Sequence, residues 1–340
     1  MKRRIWRFMA VALCLLLLAG CDGPRLEEYP RVEPVKREIA PRALTIDLPR
    51  DSDQLTVDAV NRFAAALLDL SGGAVTLEPI FSDRPAIALQ EGSTDLALLT
   101  NRDILEAEPS LSFIDWPFFW DNPEQYLTVM GAEDGLIRGS GDLSAALGGE
   151  VLGVWYGGRV VLLCRGAFYE EVAFAGSVFG ALEGAGGTGY FTDIGEDLQA
   201  RETREEEQDR LLELLDQREV KYLEYPLSAL DPDQLPQALK HLENTAHRVR
   251  GLWLTMGDGV DPETAEMLRA AAAYVPQSAW TERTQAEEAL LEELEARGIQ
   301  VHELDYYSLH RAAREHFRRN REQLGCSQRV WEELGVFLGF

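Results

Sequence analysis

An arginine stands within an otherwise apolar run near the middle of the chain. Arg159 follows a tyrosine and two glycines in residues 156–164, YGGRVVLLC. A guanidinium among apolar neighbours needs a charged partner or solvent. Two interpretations are open: Arg159 holds an anionic ligand through its planar fork of N–H donors, or it forms an inter-strand salt bridge.

Polar residues also follow two predicted strands. Asp83 and Arg84 come after the run AVTLEPI, Thr100 ends the run TDLALLT and Asn101 follows it. Open α/β sheets bind ligands at the carboxyl ends of their strands, so these four residues are candidate ligand contacts. The alternatives are a helix cap with a surface ion pair for Asp83 and Arg84, and helix N-capping for Thr100 and Asn101.

Aromatic side chains crowd one short segment around Pro117. Trp116, Phe118, Phe119 and Trp120 could form an aromatic wall of a ligand cleft, and we select Trp116 as its candidate. Packing in the core is the commoner role of such residues.

Residues 184–189, GAGGTG, have the glycine spacing of a dinucleotide-binding turn. No strand-to-helix pattern surrounds them, so we interpret this segment as a flexible loop. Tyr190, which follows it, is kept as a candidate ligand contact.

The residue types give little support for catalysis. The five histidines show no H-E-x-x-H motif, and the chain has no G-x-S-x-G elbow. The abundant carboxylates could always supply a pair for glycoside hydrolysis, so they decide nothing. We therefore predict no catalytic residue, no metal site and no cofactor.

Composition limits the partners. The chain has 340 residues, which suggests two domains, and a formal net charge of −25. Such a charge repels phosphate backbones and anionic lipid surfaces, so a nucleic-acid partner is not expected.

The N-terminal segment is predicted to be a targeting signal. Basic residues precede the apolar run 9–18, and LAGC then resembles the bacterial lipobox, with Cys21 as the acylated residue. The alternatives are a plain signal peptide or a membrane anchor. We predict a signal peptide over 1–20 and a tether over 21–41, which place the protein outside the cytoplasmic membrane with a lipid anchor in it.

Cys164 and Cys326 could pair in an oxidising compartment, but a buried thiol is the simpler interpretation of Cys164.

Alternating patterns in the next part of the chain predict an α/β domain with a largely parallel sheet. We expect strands at 42–48, 74–80 and 94–100 and helices at 54–70 and 85–92. Residues 149–166 are expected to hold two strands that leave one domain for the other. Residues 196–218 are predicted to form a charged, solvated helix, and 262–297 a helical stretch interrupted at Pro276.

Several segments keep their order along the chain and together resemble the solute-binding proteins of TRAP transporters, of the dicarboxylate-binding DctP type. They are RFAAALLDLSGGAVTLEPIFSDRPAIALQEGSTDLALLT (62–100), LSFIDWPFFWDNPEQYLTVM (111–130), VLGVWYGGRVVLLCRG (151–166), LLELLDQREVKYLEYPLSAL (211–230), HLENTAHRVRGLWLTM (241–256) and LLEELEARGIQVHEL (290–304).

The resemblance implies a two-domain, periplasmic-binding-protein-like (type II) α/β fold with a ligand cleft between the domains. It implies a first domain of 42–155 plus 250–285, a second of 156–249, and C-terminal helices over 286–340 that pack across both.

At two positions the chain departs from the family pattern. Arg159 matches an arginine that faces the cleft, but alignment places Gly180 where the main carboxylate-binding arginine belongs. Tyr225 stands where the family has an asparagine, so Tyr225 becomes a candidate ligand contact. Three interpretations stay open: the ligand lacks the usual monocarboxylate group, Arg159 alone holds it, or binding has been lost.

The function implied by the resemblance is capture of a small, carboxylate-bearing solute and its delivery to the membrane subunits of a TRAP permease, without a chemical step. The alternatives are an orphan binding protein that acts as a ligand sensor, a degenerate surface interaction module, and an exported hydrolase.

Overall fold

The computed structural model describes residues 40–131, 141–166, 178–182, 199–203, 208–303 and 307–338. Within these ranges the strands are β1 (Arg42–Pro49), β2 (Val75–Ser82), β3 (Leu96–Thr100), β4 (Gly149–Cys164), β5 (Val178–Leu182), β6 (Gln199–Thr203), β7 (Tyr222–Pro226), β8 (His241–Gly257) and β9 (Gln300–His302).

The α-helices of the same ranges are α1 (Gln54–Leu70), α2 (Pro85–Gln90), α3 (Asn101–Ala107), α4 (Pro123–Gly131), α5 (Gly141–Leu147), α6 (Gln208–Asp216), α7 (Pro262–Ala272), α8 (Pro276–Ala296), α9 (Tyr307–Asn320) and α10 (Gln328–Leu338). Short 3₁₀ helices cover Pro109–Asp115, Leu227–Ala229 and Pro232–Gln234.

The strands form one mixed sheet in the order β2-β1-β3-β8-β4-β7-β5-β6, with β9 beside β8. Parallel strands occupy both ends of the sheet, where β1 pairs with β2 and β3, and β5 pairs with β6 and β7. The two long strands β4 and β8 pair antiparallel with each other in the middle. They are therefore the elements that both halves of the sheet share.

Helix α1 shows how local sequence sets these elements. Its N-cap Asp53 accepts a hydrogen bond from the backbone N–H of Thr56 at 2.9 Å. Its buried side chains recur on one face and include Phe63 and Leu67. The helix ends before Gly72, whose φ of +62° suits glycine. The predicted bounds of 54–70 are confirmed.

Separate clusters of buried side chains support the two halves. Alternation along β3 sends Leu96 and Leu98 into one cluster with α1 and α7, and Ala97 and Leu99 into another with the aromatic segment and the C-terminal helices. A third cluster lies around β4 and β7 of the other half, where Leu163 and the side chains of α6 and α8 pack together.

Two predicted elements differ from the structure. The stretch 196–218 was expected to be one helix, but residues 199–203 form the edge strand β6 and helix α6 begins only at Gln208. Edge strands tolerate charge because they pair through the backbone, so the charge pattern misled the prediction. Residues 149–166 hold one strand with register shifts instead of two strands. The interruption at Pro276 is confirmed, since α7 ends at Ala272 and α8 begins at Pro276.

Cys164 and Cys326 are both buried and free. The interpretation of Cys164 as a buried thiol is confirmed. In the ranges that the structure describes, no helix is long and apolar enough to cross a membrane. The predicted signal peptide, Cys21 and residues 21–39 of the tether lie outside the described residues.

Candidate functional site

A bulged segment of β4, residues 156–160, lies at the middle of the sheet. The register between β4 and β8 shifts between Tyr156 and Gly158 and again between Val160 and Leu162. Gly158 has a φ of +119°, and a Cβ there would lie 3.1 Å from Oε1 of Glu287. Glycine suits this position, because a side chain would be strained at this φ and would crowd the carboxylate of Glu287.

Arg159 follows this glycine and is held by the protein itself. Its Nε donates to Oε2 of Glu287 at 2.8 Å, and its backbone N–H donates to Oε1 of the same carboxylate at 3.0 Å. Nη1 of Arg159 donates to Oδ1 of Asn244 at 3.2 Å, and the hydroxyl of Tyr156 donates to Oε2 of Glu287 at 2.8 Å. We call Tyr156, Arg159, Asn244 and Glu287 the Arg159 cluster.

The Arg159 cluster joins three elements, because Tyr156 and Arg159 lie on β4, Asn244 on β8 and Glu287 on α8. The side chain of Glu287 is 1% exposed and that of Arg159 is 15% exposed. Burial opposes the charged guanidinium, but Tyr156 and Glu287 raise the pKa of Arg159 above its ordinary value. Burial and the charge of Glu287 also raise the pKa of Tyr156 well above its ordinary value, so its hydroxyl stays a donor.

A second group of polar side chains lies around Glu224 on β7. We call Glu224, Thr245, His247, Arg248 and Asp115 the Glu224 cluster. Nε2 of His247 lies 2.8 Å from Oε1 of Glu224, and Nδ1 of His247 lies 2.6 Å from the hydroxyl of Thr245. An ionised carboxylate only accepts, so Nε2 of His247 carries the proton and Nδ1 accepts from Thr245. Nε of Arg248 lies 3.1 Å from Oε1 of Glu224, and its Nη1 donates to Asp115 at 3.2 Å.

Phe118 connects the aromatic segment to this cluster. Its backbone N–H donates to the carbonyl of His247 at 2.7 Å, and its ring stacks on the imidazole at a centroid distance of 5.2 Å. Its carbonyl lies 2.9 Å from Nδ1 of His310 on α9. These contacts hold Phe118 at a φ of +57°, which is uncommon for a residue of this size.

Of the predicted ligand contacts, Thr100 and Asn101 form hydrogen bonds within the protein itself. Thr100 forms a capping box with Asp103 at the start of α3. Oδ1 of Asn101 accepts from the hydroxyl of Tyr126 at 2.8 Å and from Nε1 of Trp253 at 2.9 Å. Its amide donates to the carbonyl of Val249 at 2.8 Å.

The other predicted contacts are spread over the molecule. Asp83 forms an exposed ion pair with Arg50 at 2.6 Å, and Arg84 is the exposed residue before α2. Trp116 is buried, with its ring stacked on His316 at 5.6 Å. Tyr225 is buried in the third cluster. Tyr190 lies outside the described residues.

The structure also explains the departure at position 180. Gly180 lies on β5, and a Cβ there would be 2.7 Å from Cδ1 of Leu223 and 3.6 Å from Cγ1 of Val220. The space next to this glycine is filled by the apolar core, so an arginine could not be placed there without repacking.

Sequence reasoning missed four charged residues of the two clusters. Glu287 was treated only as part of the helical stretch 262–297, and Glu224, Arg248 and Asp115 were not recognised as partners. The sequence held one signal for Glu287. The apolar residues Ala279, Leu291 and Leu294 recur at helical spacing, and Arg283 and Glu287 share their buried face. Within the described ranges, no group of three or more His, Cys, Asp or Glu residues could hold a metal ion.

Comparison with known proteins gives matches only at the level of structure. No protein-family model and no curated protein matches the chain. A TRAP periplasmic solute-binding protein from Ochrobactrum anthropi, with its C-terminus bound in the ligand-binding pocket, matches with a TM-score of 0.75 and 17% identity, over 89% of this chain and 96% of that one.

Two further TRAP periplasmic solute-binding proteins match at a TM-score of 0.70. One, from Desulfovibrio salexigens, has bound orotic acid and is 13% identical over 87% of this chain and 97% of that one. The other, from Haemophilus influenzae, has bound L-gulonate and is 11% identical over 87% and 99%. This chain has the fold of these solute-binding proteins. The predicted two-domain α/β fold is therefore confirmed.

Proposed function

We propose that the protein is an extracytoplasmic solute-binding protein that captures a small carboxylate-bearing solute and delivers it to TRAP-type permease subunits in the membrane. One observation carries this proposal. The fold of this chain matches solute-binding proteins over nearly their whole length, and two of those proteins have bound carboxylic acids. The function is reversible binding coupled to domain closure, without a chemical step.

The shared strands β4 and β8 support the closure. Both halves of the sheet are built on them, and two of the three register shifts between them involve the bulged segment of β4. Bulges bend strands, so a small change of twist there would move one half relative to the other. We propose the domain division of 42–155 plus 250–285 against 156–249 on this basis.

Arg159 is the residue that we propose for contact with the solute carboxylate. It lies in the bulged segment, its side chain is partly exposed, and its Nη atoms are not saturated by Glu287 and Asn244. A planar guanidinium suits a planar carboxylate. Asp83, Arg84, Tyr190 and Trp116 remain weaker proposals, and so do Thr100, Asn101 and Tyr225, whose side chains already serve the fold.

We further propose that Cys21 is acylated, which would tether the protein to the outer surface of the cytoplasmic membrane. Two acyl chains supply the stable anchoring that one chain does not. The order of basic residues, apolar run and LAGC supports this.

The test is a thermal-shift screen of organic acids and sugar acids on the wild type and on the variant Arg159→Gln. A true ligand stabilises the folded protein by about 2.7 kcal/mol at a hundred times its Kd, which raises Tm. We expect at least one acid to stabilise the wild type and to stabilise Arg159→Gln less. The matched control is Arg311→Gln, an exposed arginine of α9 outside the proposed contacts, which should respond like the wild type.

If no acid raises the Tm of the wild type, capture of a carboxylate is wrong and the degenerate interaction module becomes the better account. Equal stabilisation of both proteins would remove Arg159 from the binding site but leave solute capture intact.

A further inference from the structure

Glu287 lies where it can set the charge of the proposed ligand site. Its carboxylate receives three hydrogen bonds, from the backbone N–H and Nε of Arg159 and from the hydroxyl of Tyr156, at 2.8–3.0 Å. With 1% of its side chain exposed, it is a buried charge that is fully matched by its neighbours.

The same contacts limit how a ligand could reach Arg159. Glu287 takes the Nε side of the guanidinium, and Asn244 takes one N–H of Nη1. Asn244 is itself held, since its amide donates to Glu303 at 3.0 Å. A solute carboxylate is therefore left with the outer end of the guanidinium, formed by the remaining Nη hydrogens.

The charge of Glu287 also weakens the attraction between Arg159 and a solute carboxylate. A solute carboxylate about 4 Å from the guanidinium centre on its outer end would lie roughly twice as far from the Glu287 carboxylate. Because Coulomb energy falls as the inverse of distance, repulsion from Glu287 would cancel about half of the attraction to Arg159. The two other buried arginines of this region are matched in the same way, since Arg248 lies against Glu224 and Asp115 and Arg283 forms an ion pair with Asp53.

The apolar core would have to repack to admit an arginine at position 180, where the family pattern places the main carboxylate-binding arginine. A Cβ on Gly180 would already meet Leu223 at 2.7 Å. The positive charge available to a solute at Arg159 is thus one whose attraction Glu287 reduces by about half.

We propose that Glu287 determines the ligand class: it offsets about half of the attraction of Arg159 for a carboxylate, so that the site recognises a polar, hydroxyl-bearing solute mainly through its uncharged groups. This inference rests on the proposed solute-binding function. It predicts that a sugar acid and its uncharged analogue bind the wild type with similar affinity. Removal of the Glu287 charge then leaves Arg159 without its counter-ion, and a solute carboxylate can supply the missing charge.

The experiment compares L-gulonate with uncharged L-gulono-1,4-lactone, and orotic acid with uracil, by calorimetric titration. The proteins are the wild type, Glu287→Gln, the double variant Arg159→Gln/Glu287→Gln, and Glu288→Gln. Glu288 is the next residue on α8 and is exposed, so Glu288→Gln is the matched control. Glutamine at 287 keeps an acceptor for Tyr156 but removes the charge.

We expect Glu287→Gln to shift the acid-to-neutral affinity ratio toward the acid by about tenfold or more, as close charge pairs at binding sites do. The control should keep the wild-type ratio, and the double variant should lose the gain. Circular dichroism and Tm show whether each variant is folded. If Glu287→Gln alone does not fold, the double variant, which buries no unpaired charge, tests whether the ratio depends on this pair.

An unchanged ratio in folded Glu287→Gln, or absence of acid binding by it, overturns the assignment. Where Glu287→Gln does not fold, the double variant should keep the wild-type ratio. A ratio that falls by about tenfold or more toward the neutral analogue then overturns the assignment, because Arg159 would be attracting the carboxylate in spite of Glu287. If the wild type still binds an acid in the thermal-shift screen, only the role of Glu287 is lost. If the wild type binds no acid there either, the proposed function fails as well.

Discussion

Nε of Arg159 donates to Oε2 of Glu287 at 2.8 Å, and this contact joins the bulged segment of β4 to helix α8. The two residues are 128 positions apart in the chain. A buried ion pair of this kind is weak evidence for net stability, since both ions lose their hydration. Removing one partner is different, because it leaves the other charge buried and unmatched.

We therefore expect Glu287→Ala to lower the free energy of unfolding by about 3–5 kcal/mol, as breaking a buried pair does. The double variant Arg159→Met/Glu287→Leu should recover most of this loss because it buries no charge. Urea unfolding followed by circular dichroism measures both. Glu288→Ala serves as the control on the same helix and should change the free energy by less than about 0.5 kcal/mol. A small effect of Glu287→Ala would mean that the pair is open to water.

Gly180 provides a test of the packing on β5. A Cβ at this position would lie 2.7 Å from Leu223, so Gly180→Ala should destabilise by about 1–3 kcal/mol through overpacking. Gly166 has nothing within 4 Å of the same added atom, so Gly166→Ala is the matched control and should be neutral or slightly stabilising. Equal Tm values for the two variants would contradict the placement of Gly180 against the core.

The sequence reveals elements whose pattern is local. Helix α1 and the break between α7 and α8 could be predicted, because their caps, apolar spacing and prolines lie within a few residues. Strand β6 could not, since an edge strand is set by backbone pairing with β5 and its residues QARET carry no strand pattern.

In the candidate site, too, only the features with a local sequence pattern could be predicted. Arg159 could be selected because a charge among apolar residues is visible in the sequence. Its partner Glu287 could not be told from the other glutamates of α8, because pairing over such a distance depends on the tertiary fold. Thr100 was correctly placed at the end of β3, whereas Asn101 begins α3. Sequence could not show that Tyr126 and Trp253 would donate to the amide oxygen of Asn101.

Acid should destabilise the protein through two buried histidines. Burial lowers the pKa of His247 and of His310 below the ordinary value of 6.5, against the opposing effects of Glu224 and of the Phe118 carbonyl. The unfolded chain therefore binds protons below about pH 6.5 that the folded chain does not. The stability from these two groups is complete above that pH and is lost as the pH falls, by up to about 1.4 kcal/mol per pH unit for each.

Urea unfolding at pH 7.5 and 5.5 measures this loss, and His247→Gln should reduce the difference between the two values. Equal pH dependence in His247→Gln and the wild type would show that His247 titrates as it does in the unfolded chain.

The two thiols that the structure describes should be inert in the folded protein. Burial and the charge of Glu243 raise the pKa of Cys164 well above its ordinary value, and burial raises the pKa of Cys326 to about 11. Because the thiolate is the reactive form, a thiol reagent at pH 8 should label neither residue within minutes. The variant Cys14→Ser/Cys21→Ser leaves Cys164 and Cys326 as its cysteines. Unfolding it in guanidinium chloride without reductant should then expose both thiols. Rapid labelling of the folded variant would contradict the burial of these residues, whereas absence of thiols after unfolding would show that Cys164 and Cys326 form a disulfide.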